Sequence, residues 1–259
     1  MTAPIAAIGR GFTGAIAHLG AMARFFGAVQ HSWSWLPRAG RRVALRVLVK
    51  QVWFTALQAI PIVIVIASIL SFLLISQAVR ELGRLGATEL IGRLMVVAIV
   101  RELGPLVTAL MVAGRSGTAI ATELATNKVM GEVRALEAMG IDPAHYLVLP
   151  RMGGAILSIF GLIILFDLVS IFAGLLAASA NGMTASRYFE VVLASLEFRD
   201  VWLTIVKGLA FGAVVGIVPA FHGLAVRGAP TEVPVAASRA VVVSFIAIFL
   251  CAGLLIAVG

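Results

Sequence analysis

Five apolar stretches, each longer than the roughly 20 residues that cross a bilayer as a helix, restrict what this chain can fold into. They cover about residues 52–79, 90–113, 147–179, 201–226 and 238–258. Of the 259 residues, 61% are hydrophobic and 12% are charged, so water is not the main solvent. The sequence therefore predicts an all-α integral membrane protein whose five transmembrane helices form one domain over residues 51–259.

The segment before the first span has a different character. Residues 5–30 carry one apolar stripe at helical spacing, and two tryptophans and five basic residues follow before residue 51. This pattern predicts an amphipathic helix in the membrane interface with an aromatic and basic anchor, so that residues 1–50 form an interface segment. A soluble amphipathic helix packed on a partner would have the same pattern.

The Lys and Arg residues indicate the orientation of the spans. One side of the five spans holds thirteen and the other holds five, which places the N-terminus in the cytoplasm and the C-terminus outside. The net charge of +8 is therefore interpreted as membrane topology and attraction to anionic lipid, not as nucleic-acid binding. The single cysteine, Cys251, excludes an internal disulfide and a Cys-based metal cluster, and no metal site is expected.

The fourth span carries Gly208, Gly212 and Gly216, a small-xxx-small repeat that lets a second helix backbone approach closely. Two interpretations are open: packing between helices of one chain, or the seam of a homodimer.

The longest polar interruption runs from Arg115 to Asp142, and the absence of proline from 122 to 139 predicts a helix there. Its charges alternate in sign beside an apolar strip, so it could insert into a groove on a soluble partner. A solvated loop helix would have the same pattern. The side chains of this predicted docking surface are Glu123, Leu124, Lys128, Glu132, Val133, Leu136 and Glu137.

Four ordered motifs resemble the MlaE permease family. They are RELGP at 101–105, AGRSGTAIATEL at 113–124, ALEAMGIDP at 135–143 and YLVLPR at 146–151, and the resemblance covers about residues 50–259. It implies the permease of an ABC transporter that moves phospholipids or related lipids between the bacterial inner membrane and the cell envelope. It also makes residues 119–140 the coupling helix that contacts the ATPase.

The same resemblance implies partners. They are a second copy of the permease, a pair of cytoplasmic ATPases that bind ATP and Mg²⁺, a periplasmic ring of MCE-domain proteins and often a STAS-domain protein. No G-x-x-x-x-G-K-[ST] loop occurs, so ATP binding must come from another chain, and this chain is expected to bind no cofactor and to be no enzyme itself.

Charged residues inside the spans are the second functional signal. An unpaired charge there costs several kcal/mol, so Arg101, Glu102, Asp167 and Lys207 should face protein or water. Arg101 or Lys207 could hold a lipid phosphate while Glu102 pairs a cation, or all could form structural ion pairs. The resemblance places the wall of a lipid-tail pocket at Leu73, Leu74 and Gln77.

Two other functional classes fit parts of the sequence. The run Gly114-Arg115-Ser116-Gly117 with His222 resembles the nucleophile and base of a rhomboid-type intramembrane protease. An ion-coupled secondary transporter would use the four charged residues inside the spans, although no inverted repeat is evident.

Overall fold

The structure, a computed structural model, describes Gly27 and residues 41–258, which form helices joined by short turns. Five described stretches are long and apolar enough to cross a membrane, and they confirm the predicted all-α architecture. They are span 1 (Leu45–Arg84), span 2 (Glu89–Val129), span 3 (Tyr146–Ala180), span 4 (Phe198–Leu224) and span 5 (Glu232–Ala257). The predicted interfacial helix over 5–30 lies outside the described residues, apart from Gly27.

Within residues 41–258, several spans are built from more than one helix. The α-helices are α1 (Arg41–Val52), α2 (Ile60–Arg84), α3 (Glu89–Leu94), α4 (Gly104–Val112), α5 (Thr118–Val129), α6 (Glu132–Ala138), α7 (Leu149–Ala180), α8 (Ala185–Ser195), α9 (Phe198–Leu224) and α10 (Glu232–Val258). Wider π-helical turns at Trp53–Leu57, Met95–Leu103, Ala113–Gly117 and Ala144–Val148 connect some of them. The predicted domain boundary at residue 50 falls inside α1.

Span 3 lies in the middle of the bundle, against span 1 on one side and span 4 on the other. The glycines of span 4 allow the second contact. A Cβ atom on Gly212 would lie 2.5 Å from Ile156 Cα, and one on Gly216 would lie 2.6 Å from Met152 Cα. The repeat therefore packs helices within one chain.

The three prolines inside spans have two different effects. Pro61 and Pro105 stand in the first turn of α2 and α4, where a missing N–H costs little, and each restarts a helix after a π-helical turn. Pro219 lies inside α9, and its ring packs close to Gly117, where a Cβ atom would be 3.2 Å from Pro219 Cγ. Span 4 is thereby held against the second half of span 2.

Span 2 continues as a helix far beyond residue 113, where the sequence predicts that the apolar stretch ends. The helical path continues through Ala113–Gly117 into α5, which gives a span of 41 residues, or about 60 Å at 1.5 Å per residue. The hydrocarbon layer is only about 30 Å thick. The residues after 113 are polar, and this part of the helix packs closely on span 4: a Cβ atom on Gly223 would lie 2.6 Å from Ala121 O.

The single helix predicted over 122–139 is wrong. Gly131 has φ 83°, a left-handed conformation that ends α5 and separates it from α6. α6 ends in the same way at Gly140, with φ 73°: Gly140 N donates to Glu137 O at 3.0 Å and Ile141 N donates to Leu136 O at 2.9 Å. A glycine at each end therefore makes α6 a short, separate helix.

Candidate functional site

A backbone gap in span 2 is filled by a side chain from span 4. In an α-helix the carbonyl of Arg101 would accept from the N–H of residue 105, but Pro105 has no N–H. Lys207 Nζ donates to that carbonyl at 2.7 Å. A freed carbonyl inside a membrane needs a donor, because no water is available there. The position of Lys207 inside the membrane is therefore explained by Pro105 in span 2, which leaves the Arg101 carbonyl without its helical donor.

The same ammonium group forms an ion pair. Lys207 Nζ lies 2.7 Å from Glu102 Oε1, and the exposed fractions of the two side chains are 2% and 32%. The structure thus brings together Arg101, Glu102 and Lys207, as the cavity prediction requires. Lys207, however, has two partners within the chain, and its buried side chain faces no open space in this arrangement. The geometry is that of the structural alternative.

Arg101 itself turns to a residue that the sequence analysis missed. Its Nη2 and Nε atoms lie 2.5 and 2.7 Å from Asp200 Oδ1. Asp200 Oδ2 accepts from Glu197 N at 2.9 Å, and the Glu197 side chain accepts from the N–H of Asp200, so the two residues form a capping box at the start of α9. The spacing Glu197-x-x-Asp200 before an apolar run was the available sequence signal.

Asp167 lies beside the same break in span 2. A Cβ atom on Gly104 would be 2.4 Å from Asp167 Oδ1, so a larger residue there would displace the Asp167 side chain. This oxygen has no hydrogen-bond partner among the described residues. The four intramembrane charges thus gather around the π-helical turn of span 2, a type of irregularity that is frequent at functional sites.

An apolar groove of about 600 Å³ runs between spans 1 and 3. Ser68, Ile69, Phe72 and Leu73 line it from span 1, and Val169, Phe172 and Leu176 are among its residues on span 3. Of the three predicted wall residues, only Leu73 lines the groove. Leu74 packs against the core instead, and Gln77 accepts a hydrogen bond from Arg80 at 3.2 Å.

Three of the seven residues of the predicted docking surface are used inside the protein. Leu124 is fully buried, and Glu123 Oε1 accepts from Arg151 Nη2 at 2.9 Å. Lys128 Nζ donates to the carbonyl of Leu224, the last residue of α9. A cation suits the negative end of a helix dipole. These contacts tie α5 to spans 3 and 4.

The other four residues of the predicted docking surface lie on α6. Val133 is buried and Leu136 partly buried against residues 147–149, which fixes the helix to the start of span 3. Glu132 and Glu137 face outward. Met130 and Met139 flank α6 with exposed fractions of 71% and 65%. Within the described residues, α6 therefore presents two carboxylates between two exposed methionines.

These features define a multi-pass helical membrane protein with an irregular, charged span 2 and a small outward-facing helix between spans 2 and 3. Comparison with known proteins assigns the family. Residues 48–258 match the family described as Permease MlaE, and the chain belongs to it. The chain is therefore the membrane subunit of a transporter, and the ATPase is a separate subunit.

Three relatives illustrate the similarity. A probable ABC transporter permease protein of Rickettsia typhi is 31% identical over 180 residues, which are 69% of this chain and 70% of the relative. The Haemophilus influenzae intermembrane phospholipid transport system permease protein MlaE is 29% identical over 178 residues, 68% of each chain. The chloroplastic protein TRIGALACTOSYLDIACYLGLYCEROL 1 of Arabidopsis thaliana is 31% identical over 175 residues, 67% of this chain and 50% of the relative. Family membership favours a transporter subunit over the protease and the secondary transporter.

Proposed function

We propose that this protein is the permease of an ABC transporter that moves phospholipids or related lipids between the inner membrane and a periplasmic MCE protein. The observation that carries the proposal is the family match over residues 48–258. In this proposal two copies of the permease bind two cytoplasmic ATPases, with a STAS-domain protein as a further partner. The N-terminus and α6 lie in the cytoplasm and the C-terminus in the periplasm.

The form of α6 supports its role as the ATPase contact. A docking helix must be exposed on one face and fixed on the other, so that a push is transmitted and not absorbed. Val133 anchors the inner face, while Glu132, Glu137 and the two flanking methionines are available to a groove on the ATPase. Within the predicted coupling element of residues 119–140, we therefore propose α6 and its two glycine ends as the part that contacts the ATPase.

The contacts around α5 supply a path from α6 into the membrane. A displacement of α6 passes to span 3 through residues 147–149 and to α5 across Gly131. From α5 it reaches span 4 through the Lys128 bond to Leu224, and span 3 through the Glu123 pair with Arg151. Spans 3 and 4 carry Asp167 and Lys207 beside the break in span 2, so closure of the ATPases would act on this charged layer.

The groove between spans 1 and 3 supports the lipid assignment. Its lining is almost wholly apolar, and it is open at the side, so a lipid acyl chain could lie against Phe72, Leu73 and Phe172. Arg101, Glu102 and Lys207 would take part in transport by exchanging partners as the helices move, with Arg101 or Lys207 reaching a phosphate only in another state of the cycle.

Purification at native expression level tests the proposal. The full chain should bring down an ATPase and an MCE-domain protein, whereas a protease or a secondary transporter would purify alone. Glu132→Arg with Glu137→Arg should abolish ATPase recovery while membrane insertion persists. The matched control is Glu81→Arg, an exposed carboxylate near the other end of the bundle, which should leave recovery unchanged. Recovery of the ATPase with the double variant at wild-type level would refute the assignment of α6.

A further inference from the structure

A pocket of about 420 Å³ lies at the end of span 2 that is remote from α6. Three arginines line it, Arg93 and Arg101 from span 2 and Arg199 from the start of span 4, together with Ser195 and Glu197. Its surface is mainly polar, in contrast to the apolar groove between spans 1 and 3. The predicted cavity of Arg101, Glu102 and Lys207 included neither Arg93 nor Arg199.

Close contact between α3 and α8 forms one wall. A Cβ atom on Gly92 would lie 2.1 Å from Val191 O, so only glycine allows the two helices to touch here. Arg187 on α8 also reaches α3, with Nη2 3.4 Å from Glu89 Oε1, while its Nη1 lies 2.9 Å from Glu190 Oε2 on α8 itself. The hydrogen bond to Glu190 raises the pKa of Arg187. The pocket is therefore a defined part of the fold.

The carboxylates around the pocket already have partners. Glu89 and Glu190 pair with Arg187, Asp200 pairs with Arg101, and Glu197 caps α9. Ser195 Oγ donates to Val191 O at 2.7 Å. Arg93 and Arg199 form no side-chain ion pair or hydrogen bond with the described residues. Arg93 and Arg199 thus face one pocket without a direct ion pair to the described residues, and the charge of Glu197, whose partner is a neutral backbone N–H, offsets only one of the two.

The neighbouring aromatics indicate the depth of the pocket. Phe198 and Trp202, on either side of Arg199, have exposed fractions of 87% and 59%. Exposed aromatic side chains at the end of a span are typical of the membrane–water interface, where lipid head groups lie. Arginine is the residue that best matches the planar, bidentate geometry of a phosphate. Charge, depth and side-chain type therefore indicate the same class of ligand.

We infer that Arg93 and Arg199 form a binding site for the phosphate of a lipid head group. The site lies at the periplasmic surface of the inner membrane, where the bilayer meets water. The inference deepens the proposed function and rests on it, because it takes a phosphate-bearing lipid as cargo. Arg101 is held by Asp200 and serves as the wall of the site. The pocket accepts the head group while the acyl chains remain in the bilayer beside Val97 and Trp202.

The test uses the full-length permease with its co-purified partners in detergent micelles. Dihexanoyl phosphatidic acid is titrated calorimetrically and compared with dihexanoylglycerol, which has the same chains and no phosphate. Wild-type protein should bind the phosphate lipid more tightly. Arg93→Gln with Arg199→Gln should weaken that binding at least tenfold, equivalent to about 1.4 kcal/mol. The same variant should bind dihexanoylglycerol as the wild type does. Arg93→Lys with Arg199→Lys keeps both charges but loses the bidentate geometry, so its affinity should lie between those of the wild type and the glutamine variant.

Controls decide between the possible occupants. Arg80→Gln with Arg84→Gln removes two charges near the end of span 1, outside the pocket, and should change nothing. Equal affinity of the wild type for both lipids, or unchanged affinity in the glutamine variant, would overturn the site. Displacement of the lipid by equimolar inorganic phosphate would assign the pocket to free phosphate instead. If the glutamine variant loses the MCE-domain partner but still binds lipid, the pocket is a contact for that protein, and the lipid site is rejected.

The proposed function can fail separately. If the wild-type permease recovers no ATPase but still prefers the phosphate lipid through Arg93 and Arg199, the site stands and the transporter assignment fails. If the ATPase binds and lipid moves while the glutamine variant binds lipid normally, the transporter stands and the site is rejected.

Discussion

The pair between Lys207 and Glu102 allows a quantitative test of whether these residues stabilise the bundle. Glu102→Gln removes the carboxylate but keeps an oxygen that can still accept a hydrogen bond. Lys207, whose side chain is only 2% exposed, would then remain charged with Arg101 O and an amide as its partners. Removing one member of a buried pair costs about 3–5 kcal/mol, mostly because the remaining charge is stranded.

A second substitution should restore most of that loss. Lys207→Met with Glu102→Gln leaves no stranded charge, and its remaining cost is the unpaired Arg101 carbonyl, about 1–3 kcal/mol. The double variant should therefore be more stable than Glu102→Gln alone by about 1–3 kcal/mol, the reverse of additive loss. Methionine fills a volume similar to that of the lysine stem, so no large cavity should contribute.

Unfolding of the purified protein in mixed micelles by a denaturing detergent, followed by tryptophan fluorescence, measures these differences. Lys207→Met alone completes the double-mutant cycle. Strictly additive single effects, or a double variant less stable than both single variants, would refute the ion pair as a structural element. Lipid transfer by the stable double variant then tests the transport role separately.

Three further predictions concern other parts of the bundle. Gly212→Ala should destabilise the protein by about 1–3 kcal/mol, because its Cβ would lie 2.5 Å from Ile156 Cα, whereas Gly161→Ala, with no atom within 4 Å, should be neutral or stabilising; thermal unfolding measures both. Asp200→Asn should lower stability by about 3–5 kcal/mol, since it leaves Arg101 without its counter-ion; an unchanged unfolding midpoint would contradict that pair. Gly131→Ala should lower stability by about 1–2 kcal/mol, because φ is 83°, and should reduce stimulation of the ATPase. The control Gly83→Ala, in open space, should change neither. Equal ATPase stimulation by Gly131→Ala and the wild type would remove Gly131 from the coupling path.

The spans were predictable because apolar length is a local property. A run of apolar residues must lie in lipid wherever the rest of the chain goes. The resemblance motifs were equally local and identified the family. The stripe of glycines at 208–216 predicted close packing, but the sequence could not specify which helix would fill it.

The pairings could not be read from the sequence, because they join distant residues. Arg101 meets Asp200 and Lys207 meets Glu102 only after spans 2 and 4 pack together. The continuous helix from residue 113 into α5 depends on tertiary packing in the same way, because the residues around Ala121 lie against Gly223 of span 4. Gly131 was read as a tolerated helical residue, although its left-handed conformation defines α6.

Reconstituted transfer tests the central claim most directly. The permease, purified with its ATPase and MCE-domain partners, is placed in vesicles that carry a fluorescent phospholipid, and transfer to or from the MCE protein is followed with ATP, without ATP, and with the Glu132→Arg and Glu137→Arg variant. We predict ATP-dependent transfer that the variant abolishes. Phospholipid movement that is the same with and without ATP, in a complex whose ATPase is active, would contradict the account.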